Sequence, residues 1–268
     1  MTTFQKVIKY LAIALALSII VSIFAGILEC VAIFGGFSGQ NAVKEQSTEY
    51  NVSQDLTSLK IDINAAELTI TSSDRFSVSS NLKLLSVTEK DGCLIIEESD
   101  RNGNNYNDAV LSLSIPAGIE LESIDITTGA GRFTADSLKA KRLNMEFGAG
   151  EVVIGELRAS ESAELDGGAG KITVSNGSMC DLDLNMGVGE LNVSAELLGE
   201  CDLDLGVGQT NLILYGTLET YGIRFDKGLG SITVNGQGFG DGSSFGSGSN
   251  RIEIDGGVGA INITVTEK

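Results

Sequence analysis

Seven Gly-x-Gly triplets dominate this chain. They are formed by Gly129 and Gly131, Gly148 and Gly150, Gly168 and Gly170, Gly187 and Gly189, Gly206 and Gly208, Gly228 and Gly230, and Gly257 and Gly259. Their first glycines fall 19, 20, 19, 19, 22 and 29 residues apart. A glycine loop between two apolar runs can cradle a phosphate, but a nucleotide loop is not copied seven times. A near-fixed period of this length marks an array in which one small unit stacks on the next. The triplet is therefore read as a structural corner, where glycine tolerates positive φ and lets neighbouring backbones approach closely.

Each corner is flanked by alternating runs, such as "DLDLNM" before and "ELNVS" after. Period-two alternation sends one set of side chains inward and the other into water. The inward set is Ile124, Ile126, Leu143, Met145, Val152, Ile154, Ile172, Val174, Leu182, Leu184, Leu191, Val193, Leu203, Leu205, Ile232, Val234, Ile252, Ile254, Ile261 and Ile263. One rung cannot bury that face alone, whereas stacked rungs can, each handing its backbone hydrogen bonds to the next. At ~4.8 Å per rung, seven rungs make a rod of roughly 35 Å. The expected fold is all-β: a parallel β-solenoid of 19–22-residue rungs, preceded by one transmembrane helix.

That helix is read from residues 10–28, "YLAIALALSIIVSIFAGIL", which carry no charge and suffice to cross a bilayer. Lys6 and Lys9 precede the run, so the N-terminus is expected in the cytoplasm and the remainder outside. The run is longer than a signal-peptide core and does not end in a clear small-x-small cleavage site. "ILEC" at 27–30 places Glu29 where a lipoprotein box needs a small residue. The predicted organisation is a cytoplasmic N-terminus over 1–9, a transmembrane helix over 10–33, a linker over 34–54, a cap with irregular first rungs over 55–120, and a regular solenoid over 121–268. Within the last region, the Gly/Ser-rich stretch 236–250 is read as an insertion bulging from one rung: a tolerated loop, or a mobile contact loop anchored by Phe239 and Phe245. The chain ends "INITVTEK", and its closing charges are expected to protect the far edge.

The "LKIDINAAELTIT" unit at 59–71, which matches the repeat with Asn64-Ala65-Ala66 in place of Gly-x-Gly, the "DGCLIIEES" strand, the "LSIPAG" turn and the Gly-x-Gly rungs together resemble the bacterial membrane-anchored "putative adhesin" domains over roughly residues 55–266. The resemblance implies a β-solenoid outside the membrane, a structural rather than catalytic set of motifs, and contact with the cell envelope. Some such domains sit beside envelope-stress regulators, so a sensor or scaffold subunit is the alternative. A cell-envelope polymer or a membrane protein is the implied partner.

Composition narrows the chemistry. The chain has 36 acidic and 18 basic residues, a net charge of -18 and no histidine or tryptophan. Nucleic acid is disfavoured as a partner, and every His-based catalytic or metal arrangement is excluded. No cofactor or catalytic residue is assigned, and the chain is expected not to be an enzyme. The outward positions before each corner suggest an acidic stripe of Asp125, Glu164, Asp183 and Asp204, with Glu146 and Asp166 beside it. Like charges stacked at rung spacing repel, raise each other's pKa or recruit a cation. The stripe is therefore either a solvated face or a site for Ca²⁺ or a basic polymer. Calcium-binding β-rolls place Asp just after the corner, but Ile172 and Ile261 stand there instead. Cys180 and Cys201 share the context "CDLDL". Superposing those words puts both inward on adjacent rungs, as two buried hydrophobes or a disulfide.

Overall fold

The computed structural model describes residues 47–98, 106, 108–217 and 219–267. The predicted membrane segment lies outside them, and among the described residues no helix is long and apolar enough to cross a membrane. Every regular element described is a strand: β1 (Thr48–Tyr50), β2 (Ser58–Ser73), β3 (Ser77–Ser80), β4 (Leu85–Lys90), β5 (Cys93–Glu98), β6 (Val110–Pro116), β7 (Leu121–Val174), β8 (Gly177–Cys180), β9 (Leu182–Leu198), β10 (Glu200–Tyr215), β11 (Tyr221–Val234), β12 (Gln237–Phe239), β13 (Ser244–Gly246) and β14 (Asn250–Thr266). β7 runs without a break through three corners.

Stacking is parallel and in register. Val188 lies between Ala169 and Val207, and Gly189 between Gly170 and Gly208. Alternation decides the core: all twenty residues of the predicted inward set are buried. The second corner glycine explains itself. Gly170 has φ of 137°, and a Cβ there would lie 1.9 Å from the Gly150 carbonyl oxygen. Backbone stacked this closely leaves no room for a methyl group.

Ala66 occupies the same position in β2. β2 pairs on its outer side with β5 over 58–62 and with β6 over 67–73. Neither strand faces the intervening corner, and so a Cβ fits. β4 closes onto β5 through the Asp91-Gly92 turn, where both residues have positive φ, as a tight hairpin requires. β3 lies antiparallel to β6, and β1 to β3.

At the other end the structure departs from the sequence reading. The rungs do not follow chain order. β14 pairs in parallel with β10 on one side and with β11 on the other. The corner sequence along the stack is thus 206–208, then 257–259, then 228–230. The final strand is an interior rung rather than a protected edge. The Gly/Ser-rich segment 236–250 is no bulge either. It folds back antiparallel across β11 as β12 and β13. Phe239 and Phe245 pack against the core, with ring centroids 5.4 Å between Phe225 and Phe239 and 5.7 Å between Phe239 and Phe245. Both rings serve to close the end of the core, which corrects their reading as loop anchors. The 22- and 29-residue spacings reflect a rung that is skipped, capped and then filled.

Candidate interaction faces

Two outward faces meet at the corner edge. Before the corner, the first outward column runs Lys60, Asp125, Asn144, Glu164, Asp183, Asp202, Glu253 and Arg224 along the stack. The second runs Asp62, Thr127, Glu146, Asp166, Asn185, Asp204, Asp255 and Asp226. Asp204 therefore belongs to the second column and not beside Asp183. The residue beside Asp183 is Asp202, which the sequence reading missed. The shift has a simple cause. The word "CDLDL" ends two residues further from its corner at Cys180 than at Cys201, and the rungs align on the corner.

The same offset separates the cysteines. Cys180 is in register with Leu198, whereas Cys201 is in register with Ile252. Cys180 is half-buried and lies on the outward side of β8, Cys201 is buried, and both are free thiols. Burial pushes the Cys201 thiol up to about 11.

The acidic columns are densest toward the C-terminal end of the stack. Asp202 stands between Asp183 and Glu253. Its carboxyl is raised above the usual range, first by desolvation and then by Glu253, Asp255 and Asp183. Asn185 relieves part of the crowding by donating to Asp166 at 2.8 Å and Asp183 at 3.3 Å. Arg224 meets Glu253 at 3.6 Å. Among the described residues no three or more His, Cys, Asp or Glu side chains converge as a metal shell. The carboxylates form lines along the rod, whereas Ca²⁺ takes six to eight oxygens from around it. Elsewhere the acids are matched by cations. Glu156 receives Lys139 and Arg158, both at 2.8 Å, and Ser137 at 3.0 Å. Those partners hold its carboxyl down at about 2.

After the corner the surface changes character. A column of Thr173, Asn192, Asn211, Asn262 and Thr233 faces outward, half-buried. Asn211 donates its Nδ2 to Asn192 Oδ1 at 2.8 Å, Asn262 donates to Asn211 at 3.1 Å, and the Thr233 hydroxyl donates to Asn262 at 3.1 Å. The ladder threads through the interleaved rung, so its side chains follow the stack order and not the chain order. Gln209 joins it through Asn211 at 3.2 Å. The repeated Asn in "ELNVS", "QTNLI" and "AINIT" was the visible signal.

Between the faces lies a ridge of middle corner residues. Ala65, Ala130, Ala149, Ala169, Val188, Val207, Val258 and Leu229 stack in that order. The side chains grow toward the C-terminal end, where Val258 is 46% and Leu229 72% exposed.

The model of the Toastrack DUF4097 domain matches residues 77–264 of this chain. The chain belongs to the Toastrack DUF4097 family. No curated protein matches it. Among solved structures, a "putative cell adhesion protein" from Clostridium sporogenes is similar at 20% identity over 83% of this chain and 100% of its own, with a TM-score of 0.39. A "putative adhesin" from Bacteroides fragilis is similar at 11% identity over 84% and 100%, with a TM-score of 0.40. A "putative lipid binding protein" from Parabacteroides distasonis is similar at 16% identity over 83% and 96%, with a TM-score of 0.37. These names belong to those proteins, and no residue role passes from them to this chain.

Proposed function

We propose that this chain is a membrane-anchored, non-enzymatic protein whose toastrack domain lies outside the cytoplasm and holds a polymer of the cell envelope. The observation that supports the reading is the persistence of the outward columns. From the rung turning at Gly168 to the one turning at Gly228, each rung presents acid or amide groups on one face, a small apolar side chain at the corner, and hydroxyl or amide groups on the other. A surface that repeats in one direction suits a ligand that repeats in the same direction. The uncharged run over 10–28 supplies the anchor in this reading, with Lys6 and Lys9 on the cytoplasmic side.

Co-sedimentation of the full chain, in mild detergent, with isolated cell-wall sacculi tests it. The binding is measured with calcium and with chelator at matched ionic strength. Pelleting is the expected result. If it requires calcium and weakens in Asp202→Asn, the acidic columns carry the contact. If it persists in chelator, the contact lies elsewhere on the rod. Absence of pelleting in both conditions overturns the reading and turns attention to a membrane-protein partner.

A further inference from the structure

We infer that the amide-and-hydroxyl face after the corners binds a linear, β-linked N-acetylhexosamine glycan lying along the stack. This rests on the envelope-binding reading above, and names the ligand class and the face. Three observations converge on it.

The first is charge. Across the five rungs from Gly168 to Gly228, the first two outward side chains after each corner include only two ions, Lys171 and Glu190, which neutralise each other at 3.3 Å, and the exposed Glu196 lies further along β9. On a chain of net charge -18, this is where an uncharged polymer meets no unpaired charge to desolvate. A basic polymer would instead settle on the opposite, acidic face.

The second is hydrogen-bonding capacity. Asn211 and Asn262 each spend one N–H on the ladder. A primary amide carries two, so the Asn192, Asn211 and Asn262 rungs each retain a donor for an outside acceptor, repeated every ~4.8 Å. The ladder also fixes these side chains before any ligand arrives, which lowers the ordering cost of binding. A matching ligand must offer acceptors at a regular interval along a straight axis. An extended β-linked glycan does so.

The third is the apolar ridge at the edge of the face. Val207, Val258 and Leu229 stand beside Gln209, Ala260 and Ser231, the first outward residues after the corner. An acetamido group combines a methyl for the ridge with an amide N–H and C=O for the ladder. A plain glucose polymer has the hydroxyl groups but lacks both of those features.

The test is calorimetric titration of the full chain in detergent with an N-acetylglucosamine hexamer, and with a β-1,4-glucose hexamer as comparison. Saturable binding of the first, and none of the second, is expected. Asn211→Asp replaces a ladder donor by an anion and is expected to weaken binding by about tenfold or more, because it leaves a polar partner unpaired. Leu229→Ser removes the exposed ridge tip without touching the ladder and is expected to weaken it several-fold, while Asp226→Asn on the acidic face leaves it unchanged. Each variant is checked for an unaltered β-sheet circular-dichroism spectrum. Failure of the acetylated hexamer to bind overturns the inference, as does equal binding of the two hexamers or full affinity in Leu229→Ser. If sacculi pellet while the hexamer does not bind, the glycan assignment falls and the envelope reading stands.

Discussion

The two ends of the stack both carry split caps but differ at the corner. At each end, the last full rung is flanked on its outer side by two short strands that leave its corner unpaired among the described residues. β5 and β6 do this for β2, and β13 and β12 for β11. Short, split caps, parallel to β2 at one end and antiparallel to β11 at the other, blunt an edge that would otherwise template another chain. Yet the N-terminal corner carries Asn64 and Ala66 at the positions where the C-terminal one keeps Gly228 and Gly230. The reason is the direction in which a corner Cβ would point. A Cβ on Gly131 would meet the Ala66 carbonyl oxygen, one on Gly259 that of Gly208, and one on Gly230 that of Gly259. The vector always points toward the N-terminal end of the stack. Only the first rung lacks a corner on that side, so only there does alanine fit.

The ends also differ in how they are tied in. β2 continues directly into the stack through β7. Among the described residues, β11 and its cap form strand pairings with the rest only through β14. Deletion of β14, by truncation after Ser249, is therefore expected to have the largest effect. It removes Ile252, Ile254, Ile261, Ile263 and Val265 from the core, each worth about 1.5–3 kcal/mol, against a total stability of about 5–15 kcal/mol. Loss of cooperative thermal unfolding, with proteolysis spreading inward from β11, is the expected outcome. Retention of a sharp transition near the full-length Tm would show that β14 is not the tie.

The Cβ rule gives the next effect. Gly170→Ala forces a methyl onto the Gly150 carbonyl at a positive φ, and should cost more than about 4 kcal/mol or prevent folding. Ala66→Gly should cost only about 0.5–1 kcal/mol. Similar losses in chemical denaturation for the two would break the directional account. Phe239→Ala tests the cap. Its half-buried ring should cost about 1–2 kcal/mol, less than the ~3–5 kcal/mol of a fully buried Phe, and should leave the melting of the inner rungs unchanged.

Charge produces the smallest effects, and the two acids respond in opposite senses. Glu156 has a folded pKa of about 2, below its ordinary 4.5. Its contribution is present above ~4.5 and is lost as pH falls toward 2. Glu156→Gln should therefore cost no more than about 1 kcal/mol near neutrality, after solvent screening, with the difference fading in acid. Asp202 is raised, so the folded state holds its proton more tightly than the unfolded one. That stabilisation is present at low pH and is lost as pH rises through the folded pKa. Asp202→Asn should consequently stabilise slightly near neutrality and lose its advantage in acid. Tm measured from pH 3 to pH 8 checks both signs.

Much of this was legible in the residues. Alternation named inward positions such as Ile154 and Leu203 because period two admits one face or the other. The corners were legible because glycine is the one residue that fits a column of stacked carbonyls. Register failed where a local word competed with the corner: matching "CDLDL" displaced Asp204 by two positions and paired Cys180 with Cys201. The acidic columns were visible one rung at a time, but Asp202 entered them only once the corner fixed the alignment. The order of the last rungs could not be read, because alternation is identical for an inner and an outer rung. The irregular spacing around residues 228–257 was the only trace of a strand that must return and insert.

That insertion is the central claim, and cysteine cross-linking tests it most directly. In a full-length chain with Cys30, Cys93, Cys180 and Cys201 replaced by serine or alanine, one variant carries Asn211→Cys with Asn262→Cys. A second carries Asn211→Cys with Thr233→Cys. Asn211 and Asn262 are register neighbours, so their Cα atoms lie within reach of a disulfide, at ~4.8 Å. Thr233 is one rung further, at roughly twice that distance, beyond the ~7 Å limit. Mild oxidation should link the first pair and leave the second as free thiols. Linkage of the second pair and not the first would restore chain order to the stack and contradict the account.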